Sequence, residues 1–251
     1  MVVSCSHIDF NTYSDEQLFN LARDKFDRGS YRGAREILIQ LKNRFPESKY
    51  MAETRLLIAD SQFFENNFTE ALVQYEIFMK YHPADVKADY VTFQMGLCKK
   101  HDINSYDRDQ DPTKLAIAAF QQVINNFPNS PFAVQAKINI DDLRLILAQH
   151  ELYVGKFYLR TKQYHSAIYR LEGMLHDYAN LGLDDQCMYF LIKSFVNSNQ
   201  LEAAQTWFQN LSTQYKESKW THKTEKEFGD ILSNFANRKI LRDEKSTGEN
   251  N

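Results

Sequence analysis

The sequence predicts an all-α fold, a solenoid of five helix hairpins. Three observations predict it. An apolar pattern at helical spacing occurs five times, which marks a repeat architecture. Its copies close on Pro46, Pro83, Pro128, Ala179 and Lys216, so the spacings are 83−46 = 37, 128−83 = 45, 179−128 = 51 and 216−179 = 37. Only 8 Gly and 5 Pro stand among 251 residues, which suits long helices and suits a sheet protein poorly.

Each copy has the same internal grammar. Twelve residues before the close stands a small residue: Ala34, Ala71, Ala116, Ala167, Ala204. Eight before stands a bulky one: Leu38, Tyr75, Phe120, Leu171, Phe208. Five before stands another: Leu41, Phe78, Val123, Met174, Leu211. Fifteen before, Tyr31, Phe68, Tyr164 and Leu201 are large and apolar, with Thr113 the exception. The i, i+4, i+7 set is one face of a helix. The alanine allows close approach of a second helix, the bulky pair fills the groove, and proline or a polar turn stops the chain. This is the tetratricopeptide pattern, on a period slightly above its usual ~34 residues.

The elements follow in order. Residues 1–13 are a polar N-terminal linker. Ser14 is an N-cap with Asp15 and Glu16 in the first turn, and Gly29 ends the helix. The second helix runs from Tyr31 to Arg44, the third over about 50–65, the fourth over 68–81 and the fifth over about 84–100. Repeat three carries an excess of 45−37 = 8 residues, in HDINSYDRDQD ahead of Pro112. Repeat four carries 51−37 = 14 more, with no Pro or Gly cluster to hold a loop, so 132–160 reads as one helix of ~29 residues and ~44 Å. Such a helix would couple repeat three to repeats four and five. Gly96 and Gly155 fit the small position of the first helix in their hairpins. Helices over 164–178, 184–197 and 201–215 complete the repeats, and a helix from Trp220 to about Leu241 caps the apolar end. The division expected is 14–130 for repeats one to three, 131–242 for repeats four and five with the cap, and 243–251 for a disordered polar tail.

Composition removes several function classes. A net charge of −3 and the absence of a basic stripe give no case for nucleic acid. No run of 18 apolar residues exists to span a bilayer. Cys98 and Cys187 fall inside helices, 89 residues apart, and read as lone buried thiols. Asp107, Asp109 and Asp111 resemble a calcium loop but fail as one: Pro112 stands where glycine is needed and Ala118 where a chelating Glu is needed. Seven histidines are scattered, and no zinc, phosphate-loop or nucleophile-elbow motif occurs. No catalytic residue, metal site or cofactor is expected, and a binding scaffold is the default for a solenoid. Val2-Val3-Ser4-Cys5-Ser6 matches the end of a lipoprotein processing site, without a charged or apolar region before it; either the natural start lies further upstream or Cys5 is incidental.

Certain segments go beyond a generic repeat: Ala88-Asp89-Tyr90-Val91 with Gly96-Leu97, YDRDQDPTKLAIAAF, FPNSPFAVQAK, HELYVGKFYL over 150–159, and RLEGMLHDY over 170–178. In these the chain resembles the BamD family, the lipoprotein subunits of the bacterial outer-membrane β-barrel assembly machinery. It departs where Tyr178-Ala179 replaces the family's Tyr-Pro. The resemblance implies a non-enzymatic scaffold on the periplasmic face of the outer membrane, lipid-anchored through Cys5. It implies that the C-terminal repeats bind the periplasmic domain of BamA, and that the N-terminal repeats receive unfolded outer-membrane β-barrel proteins. Other assembly lipoproteins are further possible partners. On that basis the BamA surface is expected at Arg170, Glu172, His176, Asp177, Tyr178, Asp184 and Asp185. A substrate-peptide groove is expected at Arg23, Arg55, Gln62, Phe63, Phe64, Asn66, Tyr90 and Gln94. Arg55, Gln62 and Asn66 share a helical face by spacing, and adjacent Phe63 and Phe64 cannot both point at the core. A periplasmic repeat protein serving cell-wall or division machinery is the alternative. A superhelical lytic transglycosylase is a distant one, with no room here for its catalytic domain.

Overall fold

Residues 12–248 are described in a computed structural model; Cys5, expected to carry the lipid, lies outside them. Eleven α-helices and no strand occur among the described residues. They are α1 (Asp15–Asp27), α2 (Tyr31–Arg44), α3 (Met51–Phe64), α4 (Phe68–Tyr81), α5 (Ala88–His101), α6 (Asp111–Asn126), α7 (Pro131–Arg160), α8 (Tyr164–Asp177), α9 (Asp184–Asn197), α10 (Leu201–Gln214) and α11 (Lys219–Gly248). Pairs α1/α2 through α9/α10 are the five expected tetratricopeptide hairpins, α7 is the long helix and α11 the cap. α11 continues past the expected end, so 243–248 is helical where a disordered tail was expected.

The repeat grammar is the core. Ala34, Ala71, Ala116, Ala167 and Ala204 are all fully buried, as are Leu38, Tyr75, Phe120 and Leu171. Each of those bulky side chains contributes about 1.5–3 kcal/mol by leaving water. The residues they meet are small. A Cβ added to Gly96 would lie 2.7 Å from Phe120 Cδ1, and one added to Gly155 would lie 2.6 Å from Leu171 Cδ2. Ala22 and Ala59 hold the corresponding positions of repeats one and two, both fully buried. Repeat five is the exception: Ile192 takes that place, and Phe208 is only half-buried.

Four hairpins reverse by one turn type. Gly29, Asn66, Lys162 and Asn199 have φ of +77°, +62°, +62° and +60°. The next N–H in each turn donates five residues back: Ser30 to Lys25 O, Asn67 to Gln62 O, Gln163 to Tyr158 O and Gln200 to Phe195 O, all at 2.8–2.9 Å. This satisfies helix-end carbonyls by the Schellman arrangement. Repeat three lacks the turn because its extra residues separate α5 from α6.

A second motif recurs at the starts of helices. Ser48 Oγ donates to Asp15 Oδ2 at 2.7 Å, Ser130 Oγ to Asp89 Oδ2 at 2.6 Å and Ser218 Oγ to Asp185 Oδ2 at 2.5 Å. The same serine oxygens accept the N–H of an aromatic two residues on, Tyr50, Phe132 or Trp220. Each aromatic packs on the ring four residues after the aspartate: Phe19, Phe93 and Tyr189, at centroid distances of 4.6, 5.4 and 5.1 Å. The hydroxyl bond holds the Asp15 carboxyl below its ordinary range.

The chain forms two compact units. One runs through the repeats to Ile103 and includes Asp111–Asp141; the other joins Asn104–Gln110 to the chain from Asp142 onward. The division therefore falls within α7, after Asp141, and not at the expected 130/131. The loop before α6 belongs with the second unit. Cys98 and Cys187 are unpaired and buried; burial pushes the Cys98 thiol up to about 12 and raises Cys187 well above its ordinary value.

Candidate functional site

Two clefts, one in each unit, take in some of the residues named from sequence. In the second unit α8 carries a stripe of side chains off its core face. Ala167, Leu171 and Met174 point inward; Tyr169, Arg170, Gly173, His176 and Asp177 lie around them. With Glu151 of α7 they line a cleft of 380 Å³. Arg170 Nη1 donates to both Glu151 carboxylate oxygens, at 3.3 and 3.2 Å. His176 Nδ1 and Asp177 Oδ1 are 2.6 Å apart, both exposed. Partial desolvation at the cleft wall raises the Glu172 carboxyl above its ordinary range. Arg144 Nη2 donates to Asp177 O at 2.9 Å, satisfying a carbonyl that the end of α8 would leave open.

Two features here were not read from sequence. Tyr169 is 76% exposed, an unusual position for a large ring. Gly173 sits inside α8, where glycine costs roughly 0.5–1 kcal/mol relative to alanine. No atom lies within 4 Å of where its Cβ would stand, so the cost has no internal packing reason. The available signals were an aromatic off the apolar face and a glycine in mid-helix.

Asp184 and Asp185 do not line this cleft. Asp184 is buried, and both its oxygens accept the Asn180 N–H, at 3.1 and 3.0 Å. Asp185 is held by Ser218. Both carboxylates fasten the start of α9.

In the first unit Phe63, Phe64, Asn66, Phe68, Leu97 and His101 line most of a cleft of 610 Å³. Phe64 stacks on Tyr31 at 5.2 Å yet stays 47% exposed, while Phe63 packs on the core of repeat two. The expectation that one of the pair faces solvent identifies Phe64. His101 stacks on Phe68 at 3.5 Å. Phe68, Leu97 and His101 were not read as groove residues; Phe68 comes from α4 of the same hairpin and the other two from α5 of the next, and sequence spacing along α3 does not reveal them.

Asn66 reaches this cleft from the left-handed turn beyond α3, not from the face of the helix. The remaining expected groove residues are elsewhere. Gln62 accepts from Asn67 Nδ2 at 3.0 Å. Arg23 pairs with Glu53 at 3.5 Å. The Arg55 guanidinium covers the Tyr81 ring at 4.1 Å, as a cation on a π face. Tyr90 and Gln94 enter a buried network: Gln94 Nε2 donates to Tyr90 Oη at 2.7 Å, and the Tyr90 and Tyr75 hydroxyls donate to Asp60 Oδ1 at 3.0 and 2.6 Å. Burial raises the Asp60 carboxyl and both tyrosines above their ordinary values. These groups hold α3, α4 and α5 together. Among the described residues no cluster of His, Cys, Asp and Glu is arranged to hold a metal, and no helix is long and apolar enough to cross a membrane.

The outer membrane protein assembly factor BamD of Pasteurella multocida is 27% identical, over 80% of this chain and 83% of that protein. Those of Rickettsia prowazekii and Vibrio cholerae are 27% and 29% identical, over 81% and 64% of this chain and 81% and 71% of theirs. Among solved structures, the TPR2AB-domain:pHSP90 complex of yeast Sti1 aligns with a TM-score of 0.49 at 9% identity, over 87% of this chain and 86% of that one. The family model for YfiO, outer membrane lipoprotein, matches residues 11–196. That span runs from just before α1 into the last turn of α9 and takes in both clefts, and the chain belongs to the YfiO family of outer membrane lipoproteins.

Proposed function

We propose that this protein is a non-enzymatic scaffold of outer-membrane β-barrel assembly, anchored through a lipid on Cys5 at the periplasmic face of the outer membrane. In this reading the α8 cleft docks BamA, and the aromatic cleft of the first unit receives unfolded barrel proteins. Membership of the lipoprotein family and likeness to proteins named assembly factors support the role. The observation that carries the docking surface is Gly173. Its backbone lies open in the wall of a polar cleft at a standing cost in helix stability, as expected where another chain must approach closely. Tyr169 beside it supplies an exposed ring of the kind that anchors interfaces. For the first unit, Phe64 and the Phe68–His101 stack form an apolar wall suited to aromatic side chains of an extended peptide.

The test is co-purification with BamA. Arg170→Glu with Asp177→Lys is expected to weaken it while helicity stays unchanged. Phe64→Ala is expected to leave BamA bound and to weaken binding of a peptide copied from the final strand of a barrel protein. Full BamA recovery with the α8 double variant would remove that cleft from the interface.

A further inference from the structure

Both departures from the regular repeat meet in one place. The extra residues before α6 fold back as 104–110, and His150 Nδ1 of α7 donates to Tyr106 O at 2.6 Å. Gln110 Nε2 donates to Ser105 O and Arg108 O at 2.9 and 3.0 Å, closing the loop on itself. Tyr106 is thereby set edge-on to Tyr153 of α7, at a centroid distance of 5.9 Å. The C-terminal turns of α7 add Lys156, Phe157 and Arg160, and α9 adds Lys193. Together they line a cleft of 540 Å³ within the second unit, distinct from the α8 cleft.

Its chemistry is uneven. Three cations and no carboxylate line it, on a chain whose net charge is −3. Glu227 takes up Lys193 at 3.2 Å, whereas Lys156 and Arg160 have no carboxylate partner among the described residues. Tyr106, Tyr153 and Phe157 are 45%, 43% and 42% exposed, so three large rings face water beside those cations. Rings left wet in a concave site are the groups that gain most from a bound apolar side chain. Lys156 and Arg160 stand one helical turn apart, ~6 Å. Alternate residues of an extended strand lie ~6.6 Å apart on one face, which matches.

We propose that this cleft binds an extended acidic segment of a partner protein. Two carboxylates, two residues apart, meet Lys156 and Arg160, and an aromatic side chain on the same face of the segment enters between Tyr106, Tyr153 and Phe157. Nothing in this assignment depends on the role proposed for the α8 cleft.

The probe is a fluorescein-labelled, acetylated and amidated peptide containing Asp-Gly-Asp-Gly-Phe, which puts both carboxylates and the ring on one face. Binding to the full chain is read by fluorescence anisotropy. Affinity is expected to fall at least about tenfold with an Asn-Gly-Asn-Gly-Phe peptide and with Lys156→Glu/Arg160→Glu, and to weaken with salt. Tyr153→Ala is expected to reduce affinity for the parent peptide while leaving circular dichroism unchanged. Lys156 and Arg160 are exposed, so their variants are expected to fold; if the double variant does not, Lys156→Gln alone carries the comparison. Equal affinity for the Asp and Asn peptides overturns the proposal, as does binding unmoved by either charge variant. No binding at about 1 mM peptide overturns it too. Tighter binding of a single-stranded oligonucleotide that displaces the peptide would assign the cleft to nucleic acid and overturn it equally.

Discussion

Leu171 fills the space that a side chain on Gly155 would need, its Cδ2 lying 2.6 Å from the position of the missing Cβ. Gly96 stands in the same relation to Phe120. Gly155→Ala and Gly96→Ala are therefore expected to destabilise by about 1–3 kcal/mol through overpacking. Gly173→Ala, in open space on α8, is expected to stabilise by roughly 0.5–1 kcal/mol. Urea midpoints of the three variants decide it; a shift of the same sign in all three would show that glycine is not placed here for packing. If BamA docks as proposed, Gly173→Ala should also weaken BamA recovery despite the gain in stability, because it narrows the α8 cleft.

Asp60 predicts a pH dependence. Burial lifts its carboxyl above the ordinary value of 3.8, and the Tyr75 and Tyr90 hydroxyls oppose that only in part. The folded chain thus holds this proton more tightly than the unfolded chain. The stability Asp60 contributes is complete below its unfolded value and is lost as pH rises through its folded value. Asp60→Asn has no such proton and keeps an oxygen to accept both hydroxyls. The difference in melting temperature, wild type minus variant, should fall as pH rises from the acid range towards neutrality. A difference curve flat with pH would mean that the carboxyl is not perturbed.

The Ser218–Asp185 bond predicts a coupling. A double-mutant cycle of Ser218→Ala and Asp185→Ala should return about 0.5–1.5 kcal/mol, the net worth of a typical intramolecular hydrogen bond, since the partial exposure of both groups screens the charge. Neither single variant should change co-purification with BamA. Loss of BamA from a stably folded Asp185→Ala chain would restore Asp185 to the interface.

The helices were legible because one periodic face repeats. Ala34, Ala71, Ala116, Ala167 and Ala204 mark it, and all five are buried as the pattern requires. The long α7 was legible from the absence of breakers. Polar groups between helices were not. Tyr90 and Gln94 were read as a groove because they lie off the core face of α5, but Asp60, thirty residues earlier, draws them inward. Periodicity tells which face a residue occupies and not which helix lies opposite. Asp184 illustrates the same limit, since its partner is a backbone N–H in a turn. The cleft beside Tyr106 depends on a loop folding back onto α7, a contact between residues 44 apart that no local pattern encodes.

The four identical hairpin turns have a consequence for descent. Each reversal is made by backbone atoms, and the residue at its left-handed position is Gly29, Asn66, Lys162 or Asn199. One geometry is written in three different letters within a single chain. Substitution can therefore wander at these corners while the path of the chain stays put. Relatives that share as little as 24% of their residues with this chain over most of its length can on this account retain the same corners, and distance in sequence overstates distance in architecture.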